Sequence, residues 1–326
     1  MGRHLEGHRR HLLIALGTAL LLQLAFVTCY VVALSHPKPH EIPVAVVGAG
    51  PSTGTLIERL EGRVGSALDV RSAPTLGAAR EAIDDQDIYA AIVPGGEKTT
   101  LYTAGAAGAT IARVFEREAP VVARALGQHL ETVDLKPLPA KDPNGLVVFY
   151  LALGCVIYGH IGALLAAQAA PVPPRIRVAA LGSFSLASGL LLSLLVCDVL
   201  DALPTPFYVV AGIAALTIFT ATLITTSLLH VIRPLAMPLA VLILVILGNS
   251  GSGGAVAPDL LPGFFRFTGH WLPPGAAVTA LRDTAYFPGH EHVRSFLVLG
   301  AWALTALVIL LWHDLPRGRR PRGKTA

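Results

Sequence analysis

Charged side chains are scarce in this sequence, and that scarcity narrows what the protein can be. Asp, Glu, Lys and Arg make up 14% of the 326 residues, whereas a soluble globular domain has about 25%. The mean hydropathy of +0.61 agrees with this shortage. A chain of this composition is too apolar to stay in water alone, so the sequence predicts a membrane protein.

Cysteine pairs and enzyme motifs are also missing. The three cysteines, Cys29, Cys155 and Cys197, lie in apolar runs, so they predict neither a disulfide framework nor a C-x-x-C metal pair. No H-E-x-x-H motif occurs in the sequence. His290 and His292 lie close together, but a metal site needs a third ligand nearby. We therefore expect no enzyme, no catalytic residue and no metal ligand.

Two glycine-rich stretches resemble nucleotide sites but lack the context of such sites. VAVVGAGPSTG, residues 44–54, is one residue out of step with the dinucleotide fingerprint G-x-G-x-x-G. We expect it to form a strand-to-helix turn. GRRPRGKT, residues 318–325, matches the phosphate-loop pattern, but a predicted membrane helix precedes it and the sequence ends one residue later. We expect a basic tail attracted to anionic lipid there, and no cofactor at either stretch.

Six apolar runs predict six transmembrane helices, since about 20 apolar residues span a bilayer as a helix. The first run contains no Asp, Glu, Lys or Arg, and it is too long for a cleavable signal peptide. The fifth run is short and contains Pro238, which leaves its bounds open. The predicted helices comprise residues 11–34, 145–167, 178–199, 207–229, 235–247 and 295–312.

Basic residues near the helix ends predict the orientation, because they favour the cytoplasmic side. With both termini inside, residues 1–10 and 313–326 are basic cytoplasmic tails, and every short basic loop is also inside. Residues 35–144 then form an extracytoplasmic domain, and residues 145–312 form a five-helix membrane domain. The basic residues outside the C-terminal tail that carry this prediction are Arg3, Arg9, Arg10, Arg175, Arg177 and Arg233.

The segment 35–144 alternates β-like runs with helical stretches. This pattern predicts a small α/β domain with a partly parallel sheet. Its charges are of both signs, which does not match a nucleic-acid-binding surface. The predicted strands are residues 43–47, 68–72 and 88–93, and the predicted helices are residues 55–60, 75–83 and 104–126.

After the fifth helix, the sequence breaks into a Gly/Ser run and Pro-bounded segments that carry aromatic residues. Irregular backbone at membrane depth persists only where protein buries it or where it lines a water-filled cavity. We therefore expect residues 248–293 to dip into the outer leaflet or to lie along it. The segment is either a gate on an export path or a passive turn buried by the outer domain. Its candidate residues are Asn249, Ser250, Gly253, Gly254 and Pro258.

Two ionisable residues fall within predicted membrane helices and are candidate functional sites by position. His160 lies in the middle of the second helix, and Asp198 lies near the outer end of the third. The alternative for His160 is a hydrogen bond to a neighbouring helix, and the alternative for Asp198 is contact with the outer interface. Small residues on the third helix predict close helix packing; they are Gly182, Ser183, Ser185, Ser188 and Gly189.

Three stretches together resemble a known family. IPVAVV at 42–47 is similar to the first ectodomain strand of the YhgE/Pip (phage infection protein) group, and EAIDDQDIYAAIV at 81–93 resembles its helix, acidic turn and strand. GNSGSGG followed by APDLLPGFF and WLPPGAAVTALRD, within residues 248–283, is similar to its segment after the fifth helix. The group is related to type-2 ABC exporter permeases. The resemblance implies a permease subunit that moves a hydrophobic or amphipathic molecule, or an envelope component, outward.

The apolar runs imply the lipid bilayer as a partner, and the resemblance implies a second copy of the chain or a related permease and a separate ABC ATPase. No nucleic-acid partner is expected. The alternative function is a non-transporting envelope protein whose outer domain binds a partner or assists assembly.

Overall fold

The computed structural model describes residues 2–35, 39–48, 50, 53–54, 57–58, 62, 65–95, 98–126, 129–169 and 172–314. Within these residues, six helices are long and apolar enough to cross a membrane, which agrees with the predicted multi-pass membrane protein. In chain order the helices are α1 (Gly2–Leu34), α2 (Leu76–Asp84), α3 (Ala109–Leu126), α4 (Val147–Gln168), α5 (Pro174–Leu194), α6 (Phe207–Val231), α7 (Arg233–Ala240), α8 (Gly263–Trp271), α9 (Pro273–Tyr286) and α10 (Val293–Asp314).

Helix α6 lies at the centre of the helix bundle and packs against α4, α5, α9 and α10. Glycines on its neighbours let the backbones approach closely. A Cβ on Gly159 of α4 would lie 2.6 Å from the carbonyl oxygen of Ile218, and one on Gly189 of α5 would lie 2.6 Å from the amide nitrogen of Ala215. The close packing predicted for the small residues of α5 is therefore confirmed at Gly189.

Two of the long helices contain π-helical turns. Helix α5 continues through the π-helical turn Leu195–Val199, and α7 continues through Val241–Leu247 and a last turn, Gly248–Ser250. Pro238 inside α7 has no N–H to donate. With its continuation, the fifth apolar helix runs from Arg233 to Ser250 over 18 residues, longer than the 13-residue run predicted from sequence.

The α/β domain contains a five-stranded sheet of order β2-β1-β3-β4-β5, in which only β3 and β4 are antiparallel. The partly parallel sheet is therefore confirmed, as are its first three strands. The prediction missed β4 and β5, and it placed the start of α3 five residues too early. The strands are β1 (Ile42–Val47), β2 (Leu68–Ala73), β3 (Ala90–Val93), β4 (Lys98–Thr103) and β5 (His129–Asp134).

Helix α2 illustrates how the sequence forms this domain. Thr75 caps it, because the Thr75 side chain accepts a hydrogen bond from the backbone N–H of Ala78. Ala79 and Ile83, four residues apart on one face, are buried. The predicted helix at residues 55–60 lies mostly outside the described residues.

The core of the domain continues into the helix bundle. One apolar cluster joins Ile83 and Ile88 of the domain to Leu151 of α4 and to Phe287. A second cluster packs Leu260, from the segment after α7, with Ile42 and other residues of the sheet. Because burial of apolar surface is the main stabilising term, the domain is stabilised in part by the membrane helices it rests on.

Candidate functional site

The Gly/Ser segment after α7 is buried. Ser250 Oγ donates to the carbonyl oxygen of Ile246 at 2.6 Å. Asn249 Nδ2 donates to the hydroxyl of Tyr30 on α1, and its Oδ1 is buried with no hydrogen-bond partner among the described residues. The segment is therefore held by α1 as well as by its own helix.

The two candidate glycines have no room for a side chain. Gly253 has a φ of +73°, and a Cβ there would lie 2.8 Å from Pro258 Cγ. Gly254 faces Phe149 of α4, whose Cδ2 would lie 2.5 Å from an added Cβ. Both positions require glycine, one for its backbone conformation and both for space. This packing describes one conformation, and the choice between gate and passive turn stays a prediction.

Helices α8 and α9 form a hairpin after this segment. Every residue of α9 except Thr279 is buried. On α8, Phe264, Phe267 and Trp271 are exposed at a spacing that places them on one face. An exposed aromatic face of this kind suits the membrane–water interface.

Arg282 of α9 is a residue that the sequence reasoning did not single out. Its side chain is only 9% exposed. Its Nη2 donates to the carbonyl oxygen of Gly253 at 2.8 Å. Burial lowers the pKa of Arg282, against the attraction of Tyr89, Asp283 and Tyr286. The signal in the sequence was an arginine within a run of small and apolar residues, PPGAAVTALRD.

A cavity of about 280 Å³ lies between the α/β domain and the α8–α9 hairpin. Arg282 and Pro258 line it, together with Tyr89 at the start of β3 and Arg294 at the start of α10. Of the seven candidate residues predicted from sequence, Pro258 lines this cavity, and Gly253 and Gly254 line a much smaller one that shares Arg282.

Asp283, the neighbour of Arg282, joins the domain to the hairpin. It is fully buried. Its Oδ1 accepts a 2.9 Å hydrogen bond from Gln86 Nε2, and its Oδ2 lies 3.0 Å from the backbone N and 2.9 Å from Nδ1 of His292. The hydrogen bond with Asp283 raises the pKa of His292, and burial opposes this. His290 Nδ1 lies 2.6 Å from Asp85 Oδ1, so both histidines contact carboxylates.

A larger cavity of about 860 Å³ lies at the opposite end of the helices from the α/β domain. Apolar side chains of α4, α5 and α6 line one part of it, and Arg177, Arg233, His230 and His313 line the rest. The His230 Nδ1 lies 2.7 Å from the carbonyl oxygen of Thr226, so it must donate, and Nε2 then accepts from Arg177 Nη1 at 2.6 Å. This pair fixes the tautomer of His230.

The two intramembrane candidates line neither cavity. His160 Nδ1 lies 3.0 Å from Thr225 Oγ1 on α6, and its Nε2 is buried with no partner in the part of the chain that the structure describes. The hydrogen bond to a neighbouring helix agrees with the structural alternative for this residue. Asp198 is exposed in the π-helical turn after α5.

The glycine-rich turn after β1 has a backbone conformation and close packing that favour glycine. Gly48 has a φ of +145°, and its α-carbon faces the hydroxyl of Thr53. The basic tail, with its phosphate-loop pattern, lies outside the described residues. Within the described part of the chain, no three His, Cys, Asp or Glu side chains group as a metal site.

Comparisons with protein-family models, with curated proteins and with solved structures find no match for this chain. The resemblance to the YhgE/Pip group therefore stays a prediction from the sequence. The function has to be argued from the geometry of the molecule itself.

Proposed function

We propose that this chain is the membrane subunit of an exporter that moves an amphipathic molecule outward. The observation that carries the proposal is the cavity of about 860 Å³ at the helix ends opposite the α/β domain. Ligand cavities of roughly 300–1,000 Å³ hold a small organic molecule. This volume is therefore large enough to take up the head and part of the tail of an amphiphile.

The lining of this cavity suits an amphiphile. Alanine, valine, isoleucine and leucine side chains of the helices offer an apolar wall. Arg177 and Arg233 bring guanidinium groups to the same space, and Arg177 is oriented by its contact with His230. Basic pockets between helices at the cytoplasmic side of a membrane are places where anionic head groups bind.

The polar break after α7 supports a link between the two ends of the molecule. The helix that begins beside this cavity, at Arg233, ends at Ser250 next to the α8–α9 hairpin. The hairpin in turn contacts the α/β domain through Asp283 and Gln86. A movement of α7 would therefore reach the outer domain through packed and hydrogen-bonded groups.

The proposal includes the orientation and the partners predicted from sequence. The arginine-rich helix ends face the cytoplasm, so the cavity opens toward the inner leaflet. Energy comes from a separate ABC ATPase, and a second copy or a related permease completes the path. The YhgE/Pip resemblance supports this arrangement.

The experiment fills the cavity. Ala180→Trp places a large side chain in the lining, and Ala179→Trp places the same side chain at the adjacent exposed position outside it. Cells lacking the chain are complemented with each variant at equal protein level, and amphiphiles in the medium and outer leaflet are profiled by mass spectrometry. We expect a compound that is lost with the deletion and with Ala180→Trp and is retained with Ala179→Trp. An unchanged profile in the deletion strain contradicts export.

The contacts between domain and hairpin favour the second candidate, an envelope protein that does not transport. His290–Asp85 and Gln86–Asp283 hold the domain in one position, as suits a fixed surface for a partner. In that case Ala180→Trp leaves the deletion phenotype complemented. Substitutions on the exposed surface of the domain then abolish complementation.

A further inference from the structure

The charge of Arg282 is the strongest unexplained feature of the cavity beside the hairpin. The side chain is more than nine-tenths buried, yet it makes one hydrogen bond, to the carbonyl oxygen of Gly253. Among the described residues, no carboxylate oxygen lies within 4.0 Å of a guanidinium nitrogen of Arg282, which is the distance that defines an ion pair. A guanidinium has five N–H donors, and a buried charge without a counterion is costly.

The nearby carboxylates are already used by other groups. Asp283 accepts hydrogen bonds from Gln86 and His292. Burial and the neighbouring Asp259 raise the pKa of Tyr89, and Asp259 lies 3.9 Å from Arg266. Neither carboxylate forms a direct ion pair with Arg282.

The charges around the cavity do not balance. Of the side chains that line the cavity, Arg282 and Arg294 carry positive charges and Asp259 carries a negative charge, which leaves one positive charge with the histidines neutral. His292 adds to it when it is protonated, and its contact with Asp283 favours that state. A bound anion would complete the balance.

The cavity has space and donors for such an anion. Its volume is about 280 Å³, whereas a water molecule occupies about 30 Å³ in the liquid. Arg282 and Arg294 reach it from different helices, and the hydroxyls of Thr279 and Ser295 also line it. Thr279 lines the cavity and is the one residue of α9 that is not buried.

We propose that this cavity binds a phosphate group, held by Arg282 and Arg294 with the hydroxyls of Thr279 and Ser295. Two guanidinium groups and two hydroxyls arranged around one space match an oxyanion with several acceptor atoms, and arginine forms forked hydrogen bonds to phosphate. The site does not depend on transport, since an envelope protein with no export activity would bind the same group.

The phosphate comes either from a lipid head group or from a free phosphate compound. The rim of the cavity lies beside the exposed aromatic face of α8, because the Arg294 guanidinium lies over the Trp271 ring at 5.0 Å. Aromatic residues of this kind are enriched where head groups lie. Both sources offer the same chemistry to the two arginines, and the experiment separates them.

The test uses the purified full-length chain in a neutral detergent. One arm titrates inorganic phosphate by calorimetry, and the other adds phosphatidic acid or phosphatidylcholine and counts bound lipid by native mass spectrometry. The variants are Arg282→Gln and Arg294→Gln, and the control is Arg71→Gln, an exposed arginine paired with Asp69 in the domain. We expect each cavity variant to weaken binding about tenfold to a hundredfold, as befits the loss of a charged hydrogen bond, and the control to leave binding unchanged.

Each arm of the experiment can support or overturn the proposed phosphate site. Binding of inorganic phosphate that Arg294→Gln weakens supports the site with a free phosphate compound as its ligand. Binding of phosphatidic acid alone, weakened in the same way, supports the site with a lipid head group. No binding in either arm, or equal loss in Arg71→Gln, overturns the proposal. If Arg282→Gln does not accumulate, Arg294→Gln decides alone, since Arg294 is exposed at the rim.

Discussion

Arg282 Nη2 lies 2.8 Å from the carbonyl oxygen of Gly253, and this hydrogen bond joins the buried hairpin helix to the break after α7. Gly253 adopts a φ of +73°, a conformation that residues with a side chain seldom adopt. The bond therefore links a buried charge to the one position in the break that has a positive φ. Any movement of the break would change the surroundings of Arg282.

The first prediction concerns Gly254. Gly254→Ala places a Cβ against Phe149, so we expect the substitution to lower the free energy of unfolding by about 1–3 kcal/mol. Gly263→Ala is the matched control, because nothing lies within 4 Å of its added Cβ. Thermal unfolding in detergent measures both. The double variant Gly254→Ala/Phe149→Leu should recover part of the loss.

The same variants bear on the gate. A passive turn predicts that stability and export fall together in Gly254→Ala. A gate predicts that export is lost at a normal protein level, and to a greater extent than the lowered melting temperature accounts for. Equal melting temperatures for Gly254→Ala and Gly263→Ala would contradict the packing argument itself.

The second prediction concerns the contact between α5 and α6. Gly189→Ala brings a Cβ to 2.6 Å from a backbone nitrogen of α6, which only a backbone shift relieves, so we expect a loss of about 1–3 kcal/mol. Gly154→Ala, also within a long helix, meets nothing within 4 Å and should unfold like the wild type. The fraction of protein that stays monodisperse on heating measures both. If Gly189→Ala and Gly154→Ala stay monodisperse to the same extent, the close contact between α5 and α6 does not contribute to stability.

The third prediction concerns pH. The hydrogen bond from His292 to Asp283 raises the pKa of His292 above its usual value near 6.5. A raised pKa stabilises the fold below about pH 6.5, and that stabilisation is lost as the pH rises through the folded-state value. We therefore expect the melting temperature of the wild type to fall across this window more than that of His292→Gln. Identical pH profiles for the two proteins would contradict a contribution of the His292–Asp283 hydrogen bond to stability.

The fourth prediction tests the orientation. With the native cysteines replaced by alanine, the probes are Ser66→Cys in the α/β domain, which precedes α4, and Ala169→Cys, which follows it. Both positions are exposed. A membrane-impermeant thiol reagent should label Ser66→Cys in intact cells and Ala169→Cys only after the membrane is opened. The reverse pattern would contradict the predicted cytoplasmic termini.

Much of the architecture could be predicted because the signals are local. Long apolar runs without charge specify membrane helices, because lipid offers no hydrogen-bond partners and a helix pairs its backbone groups internally. The β-branched run at β1 and the Thr75 cap of α2 are likewise short-range signals. β4 and β5 were missed because KTTLYT and HLETVD carry many polar residues, and their pairing across the sheet decides their conformation.

The sequence by itself determined the class of the protein, since its composition and six apolar runs require a bilayer. It also marked the Gly/Ser break as unusual. Only the tertiary structure decided what that break contacts. Arg282, Asp283 and Gln86 lie far apart in sequence, and whether a charge is buried, paired or exposed depends on which elements pack around it. The cavity between domain and hairpin exists for the same reason: distant segments enclose it, and no short stretch of sequence encodes it.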